Sequence, residues 1–315
     1  MTRPDATAIV VTHNSARQIV AALTALRQAD LTVRLVDNAS VDRTVELVHR
    51  HFPEVTVLAG DENVGFAAAV NRAAAGVGSG VLLLVNPDCV VPPATARELV
   101  RAALDRPEVG IVGPRLVDAH GGVAVSAHPF ETLTTVVASR FGGLLVPVPL
   151  RRRLAGRRRR RMYDACLRGG RPLPVDWVSG ACLAVRTDLF TAVGGLNEAY
   201  FMYYEDEELC LQARRLGRTV LYLPTATACH TGGASSSDPA WIWPHLYRSM
   251  LLFFSRHQPR VRHAVRAVVL LRALIGVGLA GVRLSLQPRA GVARARAWAR
   301  VGRVAVSRLP SGGKL

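Results

Sequence analysis

The chain has 315 residues, half of them hydrophobic and only 6% aromatic. That is room for one large α/β domain, or one domain plus a helical appendage, and it excludes a core built mainly from rings. The formal net charge of +17 is local, which excludes a uniformly basic particle: residues 239–315 hold 14 basic and no acidic residues, and residues 151–161 (RRRLAGRRRRR) hold eight arginines.

The first predicted strand covers 8–12 (AIVVT), a β-branched run ending at His13 and Asn14. It starts so near the N-terminus that no signal peptide is expected. An amphipathic helix is predicted over 16–29, a strand over 31–37 (LTVRLVD), and a helix over 43–51 with Ser40 or Asp42 as its cap. Strand 55–60, helix 66–75 and the fully apolar strand 81–86 (VLLLVN), stopped by Pro87, continue the alternation. This order predicts an α/β fold with a mainly parallel sheet and helices on both faces. Ligands of such sheets bind beyond the carboxyl ends of the strands. Thr12, His13, Asn14, Asp37, Asn38, Asn63, Asn86 and Asp88 are therefore candidates.

A further strand is predicted over 109–113. Residues 120–175, rich in Gly, Pro and Arg, show no clear period and are expected to be an irregular insertion. Order resumes over 175–190. The acidic run Glu205-Asp206-Glu207-Glu208 then opens a helix over 206–216, and a last strand over 220–224 leads to ATACHTGGASSS (226–237), which contains His230. Helices are predicted over 245–257, 262–286 and 288–308. Only ten residues separate Arg272 from Arg283, short of the roughly twenty apolar residues a bilayer span requires. An interfacial helix on anionic lipid is expected, with a soluble hairpin as the alternative. The domain plan is a catalytic domain over 1–240 and basic amphipathic helices over 241–315.

The cysteines (Cys89, Cys166, Cys182, Cys210, Cys229) are odd in number and form no C-x-x-C pair, which points to reduced thiols in a cytosolic protein and away from zinc. Asp88, at the end of a buried strand, suits a hard divalent cation bridging two phosphates; the alternative is a helix cap for 94–104. Acidic residues at a helix start are favoured by its dipole. Four in succession, after Tyr200-Phe201-Met202-Tyr203-Tyr204, exceed that need, and one can act as a general base whose pKa its neighbours raise. His230 can complete a metal shell. Asp37 can accept hydrogen bonds from a ribose or a base. The loop after the first strand reads THNSARQ rather than G-x-G-x-x-G, which argues against a dinucleotide-dependent dehydrogenase, and no G-x-x-x-x-G-K-[ST] loop exists.

VVTHN (10–14), VDNASVDRT (36–44), ENVGFAAAVNRA (62–73), LLLVNPD (82–88), VSGACLAVRTDLF (178–190), GGLNEAYFMYYEDEELCLQARRLG (194–217) and CHTGGAS (229–235) occur in order. Together they resemble the family 2 inverting glycosyltransferases of the GT-A fold, in particular the bacterial rhamnosyltransferase branch, over residues 6–257. The resemblance implies a Rossmann-like nucleotide-binding half and an acceptor half. It implies that Thr12, Asn14, Asp37 and Asn38 hold the nucleoside of a nucleotide sugar, with His13, Asn63, Gly65 and Asn86 in the same donor set. Asp88, in Asn86-Pro87-Asp88 where the family has Asp-x-Asp, would bind Mg²⁺ or Mn²⁺ with His230. Asp206 would be the general base with Glu205 beside it, and Trp177, Ser179 and Gly180 would line the donor–acceptor junction. Glu208 stands where the family often has Asp. Q-x-x-R-W is absent, so one sugar per encounter is expected rather than polymerisation.

The branch implies dTDP-L-rhamnose as donor, with galactofuranose or glucose donors as alternatives. The tail suggests a lipid-linked acceptor such as a polyprenyl diphosphate-linked sugar, in cell-wall or surface-polysaccharide assembly. The expected location is the cytoplasm, peripheral on the inner face of the plasma membrane. The rival class is a nucleic-acid-binding protein using the arginines; apolar helices without interleaved aromatics favour lipid, so no nucleic-acid partner is expected. An inactive family member acting as a binding module is the third reading, and the set Asp88, Asp206 and His230 weighs against it. The oligomeric state is left open.

Overall fold

A computed structural model describes residues 5–145, 162, 164, 166, 168, 170–232, 239–284 and 288–307. They form two compact units. The first holds Met1–Phe130, Arg157–Glu198 and Glu205–Ser235; the second gathers Glu131–Gly156, Ala199–Tyr204 and Ser236–Leu315.

The first unit begins with the alternation read from the sequence: β1 (Ala6–Thr12), α1 (Ile19–Gln28), β2 (Thr32–Asn38), α2 (Thr44–His51), β3 (Thr56–Gly60), α3 (Phe66–Ala74) and β4 (Val81–Val85). Strands β3, β2, β1 and β4 lie side by side in parallel. The pairs Thr12↔Asp37 and Asp37↔Ala59 align the carboxyl ends of β1, β2 and β3. A strand alternates its side chains between two faces. In β4 every residue is buried; Val81, Leu83 and Val85 join the core on one face, and Leu82 and Leu84 the core on the other. That double burial is why its sequence is an unbroken apolar run.

Next come β5 (Cys89–Val90), α4 (Pro93–Leu104) and β6 (Val109–Val117). Residues 120–175 are described only in part, and the described parts contain regular elements. They include β7 (Val123–Ala124), β8 (Ala127–His128), α5 (Leu133–Leu145) and β9 (Leu173–Val175). Strands of two or three residues are too short to display a period, and α5 (LTTVVASRFGGLL) is dense in β-branched residues and glycine, poor helix formers. The arginine run at 151–161 lies outside the described residues. The unit closes with β10 (Trp177–Val178), β11 (Cys182–Arg186), α6 (Thr187–Ala192), α7 (Glu205–Arg215) and β12 (Thr219–His230).

Strand β11 runs antiparallel to β4 with Cys182 opposite Val85, so its entry meets the exit of β4. β12 is longer than the predicted 220–224. Its register with β6 shifts between Leu223 and Thr227, where Pro224 offers no N–H, and pairing then resumes to Cys229↔Val117. His230 is thus a strand residue, opposite Cys89 of β5.

The second unit contains α5 with α8 (Pro239–His257), α9 (Arg262–Leu284) and α10 (Pro288–Val306). Val265, Val269, Ala273 and Ala280 of α9 are buried, as are Ala297, Trp298, Val301 and Ala305 of α10. Gly276 permits the contact, since a Cβ there would lie 2.3 Å from the Trp298 ring. The Arg272 guanidinium sits 4.1 Å from that ring's centroid, and Arg266 donates to the Ser307 carbonyl at 2.9 Å. Helix α9 is continuous through both arginines. By length and composition its stretch Arg262–Gly281, with mean hydropathy 1.9, is long and apolar enough to cross a membrane. The uncharged stretch between Arg272 and Arg283 is thus only the C-terminal half of this apolar helix.

Candidate active site

The exits of β1 and β2 form one hydrogen-bonded network. Asp37 is 3% exposed, and its carboxylate accepts from Thr12 Oγ1 (2.8 Å), Ser40 Oγ (2.6 Å) and the Ser40 N–H (2.8 Å). Burying a carboxylate demands such donors. Ser40 Oγ also accepts the Asn14 N–H at 2.8 Å. Of the two residues expected to cap α2, Asp42 accepts the Thr44 N–H at 3.0 Å at the helix start, while Ser40 is the node joining the two strand exits. Its spacing three residues after Asp37 was the available signal.

Asn14 takes a left-handed φ of 53° and accepts the Val41 N–H at 2.9 Å; His13 Nδ1 lies 2.6 Å from the Asn38 carbonyl oxygen. Buried Asn38 donates to the Gly65 carbonyl at 3.1 Å, and Asn63 Oδ1 accepts the Gly65 N–H at 3.0 Å. Gly65 has φ 86° and ψ 174°, a region essentially reserved for glycine. The structure therefore brings together Thr12, His13, Asn14, Asp37, Asn38, Asn63 and Gly65. Thr12, Asp37, Asn38 and Gly65 are buried, Asn63 and His13 are half-buried, and Asn14 is exposed.

A second cluster follows β4. Asp88 is 6% exposed, and its Oδ1 lies 3.2 Å from His230 Nε2. The β5–β12 pairing creates this contact across 142 residues of chain. Asp88 does not cap α4, whose N-cap is Pro92. Its carbonyl instead accepts the Thr231 N–H at 3.1 Å. One carboxylate oxygen and one imidazole nitrogen suit a divalent cation that keeps other positions for waters and phosphate oxygens. No group of three or more His, Cys, Asp or Glu able to hold a metal ion occurs among the described residues.

The third cluster lies on the adjoining turn. The Asn86 N–H donates to the Ala181 carbonyl at 2.9 Å, and next to it the Gly180 N–H donates to Asp206 Oδ2 at 2.8 Å. Asp206 Oδ1 accepts the Glu207 N–H at 2.9 Å. Burial pushes the Asp206 carboxyl above the usual aspartate value, and the two N–H donors oppose that rise. Glu205 is pushed well above the usual glutamate value, first by burial and then by the Asp206 charge. Its Oε2 has no hydrogen-bond partner among the described residues. Glu208 accepts from Asn197 Nδ2 at 3.0 Å, a link within the fold. Helix α7 is further tied down by an ion pair of Arg214 with buried Asp176.

The residues expected at the donor–acceptor junction, Trp177, Ser179 and Gly180, lie at or just before this turn. Trp177 donates its ring N–H to the Pro129 carbonyl at 3.1 Å and stacks on His128, with centroids 4.3 Å apart. Ser179 donates its N–H to the Ser126 carbonyl at 2.9 Å, and its hydroxyl accepts from Ala181 at 3.3 Å. Ser126 and His128 lie in the stretch read as irregular, so no period pointed to them.

The sequence profile "Glycosyl transferase family 2" matches residues 7–148. The chain is 30% identical over 253 residues to the N-acetylglucosaminyl-diphospho-decaprenol L-rhamnosyltransferase of Mycobacterium tuberculosis, which spans 76% of this chain and 80% of that one. Over 56 residues it is 41% identical to the rhamnosyltransferase WbbL of Escherichia coli, 18% of this chain and 21% of that one. In fold it is similar to the mannosyltransferase PcManGT from Pyrobaculum calidifontis, solved with GDP-Man and Mn²⁺. The TM-score is 0.55 at 16% identity, over 96% of this chain and 87% of that one.

Proposed function

The chain belongs to glycosyl transferase family 2, in its rhamnosyltransferase-like branch with the GT-A fold, and from that premise we propose an inverting, non-processive transfer of one sugar from a nucleotide donor to a lipid-linked acceptor. The observation that carries this reading is the tether at Gly180-Ala181. Adjacent backbone groups bind Asp206 on one side and the Asn86 turn leading to Asp88 on the other. Asp206, and Asp88 two residues beyond Asn86, thus stand in different surroundings suited to different tasks.

Asp206 takes the proton of the acceptor hydroxyl. A base must give up and regain a proton easily, and burial moves Asp206 in that direction. The hydroxyl oxygen attacks the anomeric carbon from the face opposite the nucleoside diphosphate, and the configuration inverts. Asp88 and His230 would hold Mg²⁺ or Mn²⁺, which supplies neutralisation of the charge on the departing diphosphate. Thr12, His13, Asn14, Asp37, Asn38, Asn63, Gly65 and Asn86 form the donor-nucleotide wall; Trp177, Ser179 and Gly180 form the junction with the acceptor.

The relative's name supports L-rhamnose as the sugar and a polyprenyl diphosphate-linked N-acetylglucosamine as the acceptor. We assign dTDP-L-rhamnose as donor, a role in cell-wall or surface-polysaccharide assembly, and a peripheral position on the cytoplasmic face of the membrane. Asp206→Asn tests the division of labour. Transfer should fall by roughly 10²- to 10⁴-fold while calorimetric binding of the nucleoside diphosphate with Mn²⁺ is retained. Loss of that binding would make Asp206 a donor or metal ligand instead.

A further inference from the structure

We propose that the outer face of α9 is a membrane-insertion surface, lying in the plane of an anionic bilayer rather than crossing it. Helix α9 buries Val265, Val269, Ala273, Gly276 and Ala280 on one side. On the opposite side Ala267, Leu271, Leu274, Gly278 and Gly281 recur at intervals of four, three, four and three residues, and all are exposed. Leu271 is 52% exposed and Leu274 62%, and Val277 and Leu279 beside them are also exposed. The stripe contains no charge. Exposed arginines at 260 and 262 stand just before it, and Arg283 follows it in the sequence. An uncharged apolar face preceded by exposed arginines suits an interfacial helix, whose side chains enter the acyl boundary while guanidinium groups reach the headgroups.

Charge selects the occupant. Residues 239–315 carry 14 basic and no acidic residues. A second copy of this chain would set one such tail against another, with no acidic residue in either tail to offset the repulsion. A nucleic acid would satisfy the arginines and leave the leucines in water. An anionic lipid surface answers both features, since juxtamembrane basic residues are drawn to it.

The packing also decides the orientation. Arg266 and Arg272, within the apolar stretch, are engaged by the Ser307 carbonyl and the Trp298 ring of the neighbouring hairpin arm. Carrying α9 through a bilayer would break these contacts or draw α10 in with it. Helix α10 exposes Arg294, Arg296, Arg300 and Arg303, which hydrocarbon does not accommodate.

The inference rests on the membrane setting proposed above only for its purpose, and its test is separable. The full chain and its Leu271→Gln/Leu274→Gln variant are titrated with vesicles of phosphatidylcholine mixed with phosphatidylglycerol, and with phosphatidylcholine alone. The wild type should bind the mixed vesicles and lose most of that binding at high salt. The variant should bind them at least about tenfold more weakly, with unchanged melting temperature and unchanged transfer to a water-soluble acceptor analogue. Undiminished vesicle binding by the variant overturns the proposal. So does a dimer in light scattering that the double substitution dissociates, which would make the stripe a contact between copies. Resistance of the bound wild type to alkaline carbonate extraction would establish a crossing helix and overturn the in-plane orientation. Vesicle binding without sugar transfer would sink the enzymatic reading and leave this surface standing; transfer without vesicle binding would do the reverse.

Discussion

Replacing Gly180 with alanine moves the proposed base without touching its chemistry. A Cβ at position 180 would lie 3.2 Å from the Asp206 Cβ and 3.3 Å from its Oδ2. Those separations are tighter than ordinary van der Waals contact, so the carboxylate must retreat by a few tenths of an ångström. The retreat also stretches the 2.8 Å bond from the Gly180 N–H. Misplacing a reacting group by about 1 Å costs on the order of 10²-fold in rate, so this smaller shift should lower kcat roughly three- to tenfold. The strain on the fold is modest, at about 1 kcal/mol. Steady-state kinetics with donor and acceptor varied in turn provide the assay. The expected pattern is a lower kcat with the donor KM unchanged. An unchanged kcat, or a rise in donor KM alone, would refute the placement of Asp206 at the proton.

The metal assignment is open to a titration. His230→Ala removes one of the two proposed ligands, 3.2 Å from Asp88 Oδ1, and should raise the Mn²⁺ concentration for half-maximal transfer by at least about tenfold; an unaltered Mn²⁺ curve would remove His230 from the site. The acid limb of the pH–rate profile should lie above the ordinary aspartate range, because burial raises Asp206 and the base must be ionised. That limb should vanish in Asp206→Asn, and its persistence there would assign it to another group. Glu205 carries a stability signature. A carboxyl whose folded pKa exceeds its unfolded pKa favours the fold below the unfolded value and loses that contribution as pH rises through the folded one. Glu205→Gln should therefore flatten the fall in melting temperature above the usual glutamate range, and an unchanged slope would show that Glu205 ionises as readily in the folded protein as in the unfolded chain.

The parallel half of the sheet was legible because β1, β2 and β4 are strands whose apolar runs end abruptly in polar residues. Asp37, Asn38 and Asp88 were legible for the same reason, standing at those ends. Pairings across long stretches of chain were not. His230 reads as a loop residue until β12 is seen to resume after its irregularity and to pair with β5. Ser40 reads as a cap because hydroxyls often cap helices, and only the side-by-side packing of β1 and β2 gives it Asp37 and Asn14 as partners. The Trp177–His128 stack depends on β8 and β10, two residues each, below the length at which alternation can be recognised. Acidity at 205–208 was plain, and the family motif singled out Asp206, but the different surroundings of the two were not legible: backbone N–H groups hold Asp206, whereas burial isolates Glu205.

The most direct test is the product itself. The purified full-length protein is incubated with dTDP-L-rhamnose, Mn²⁺ and a polyprenyl diphosphate-linked N-acetylglucosamine, and the anomeric configuration of the new linkage is read by NMR. One added sugar per acceptor, with configuration opposite to that of the donor and no product after chelation of the metal, is the predicted result. Retained configuration, or no transfer from any nucleotide sugar with metal present, would contradict the assignment of Asp206 as base and of Asp88 with His230 at the diphosphate.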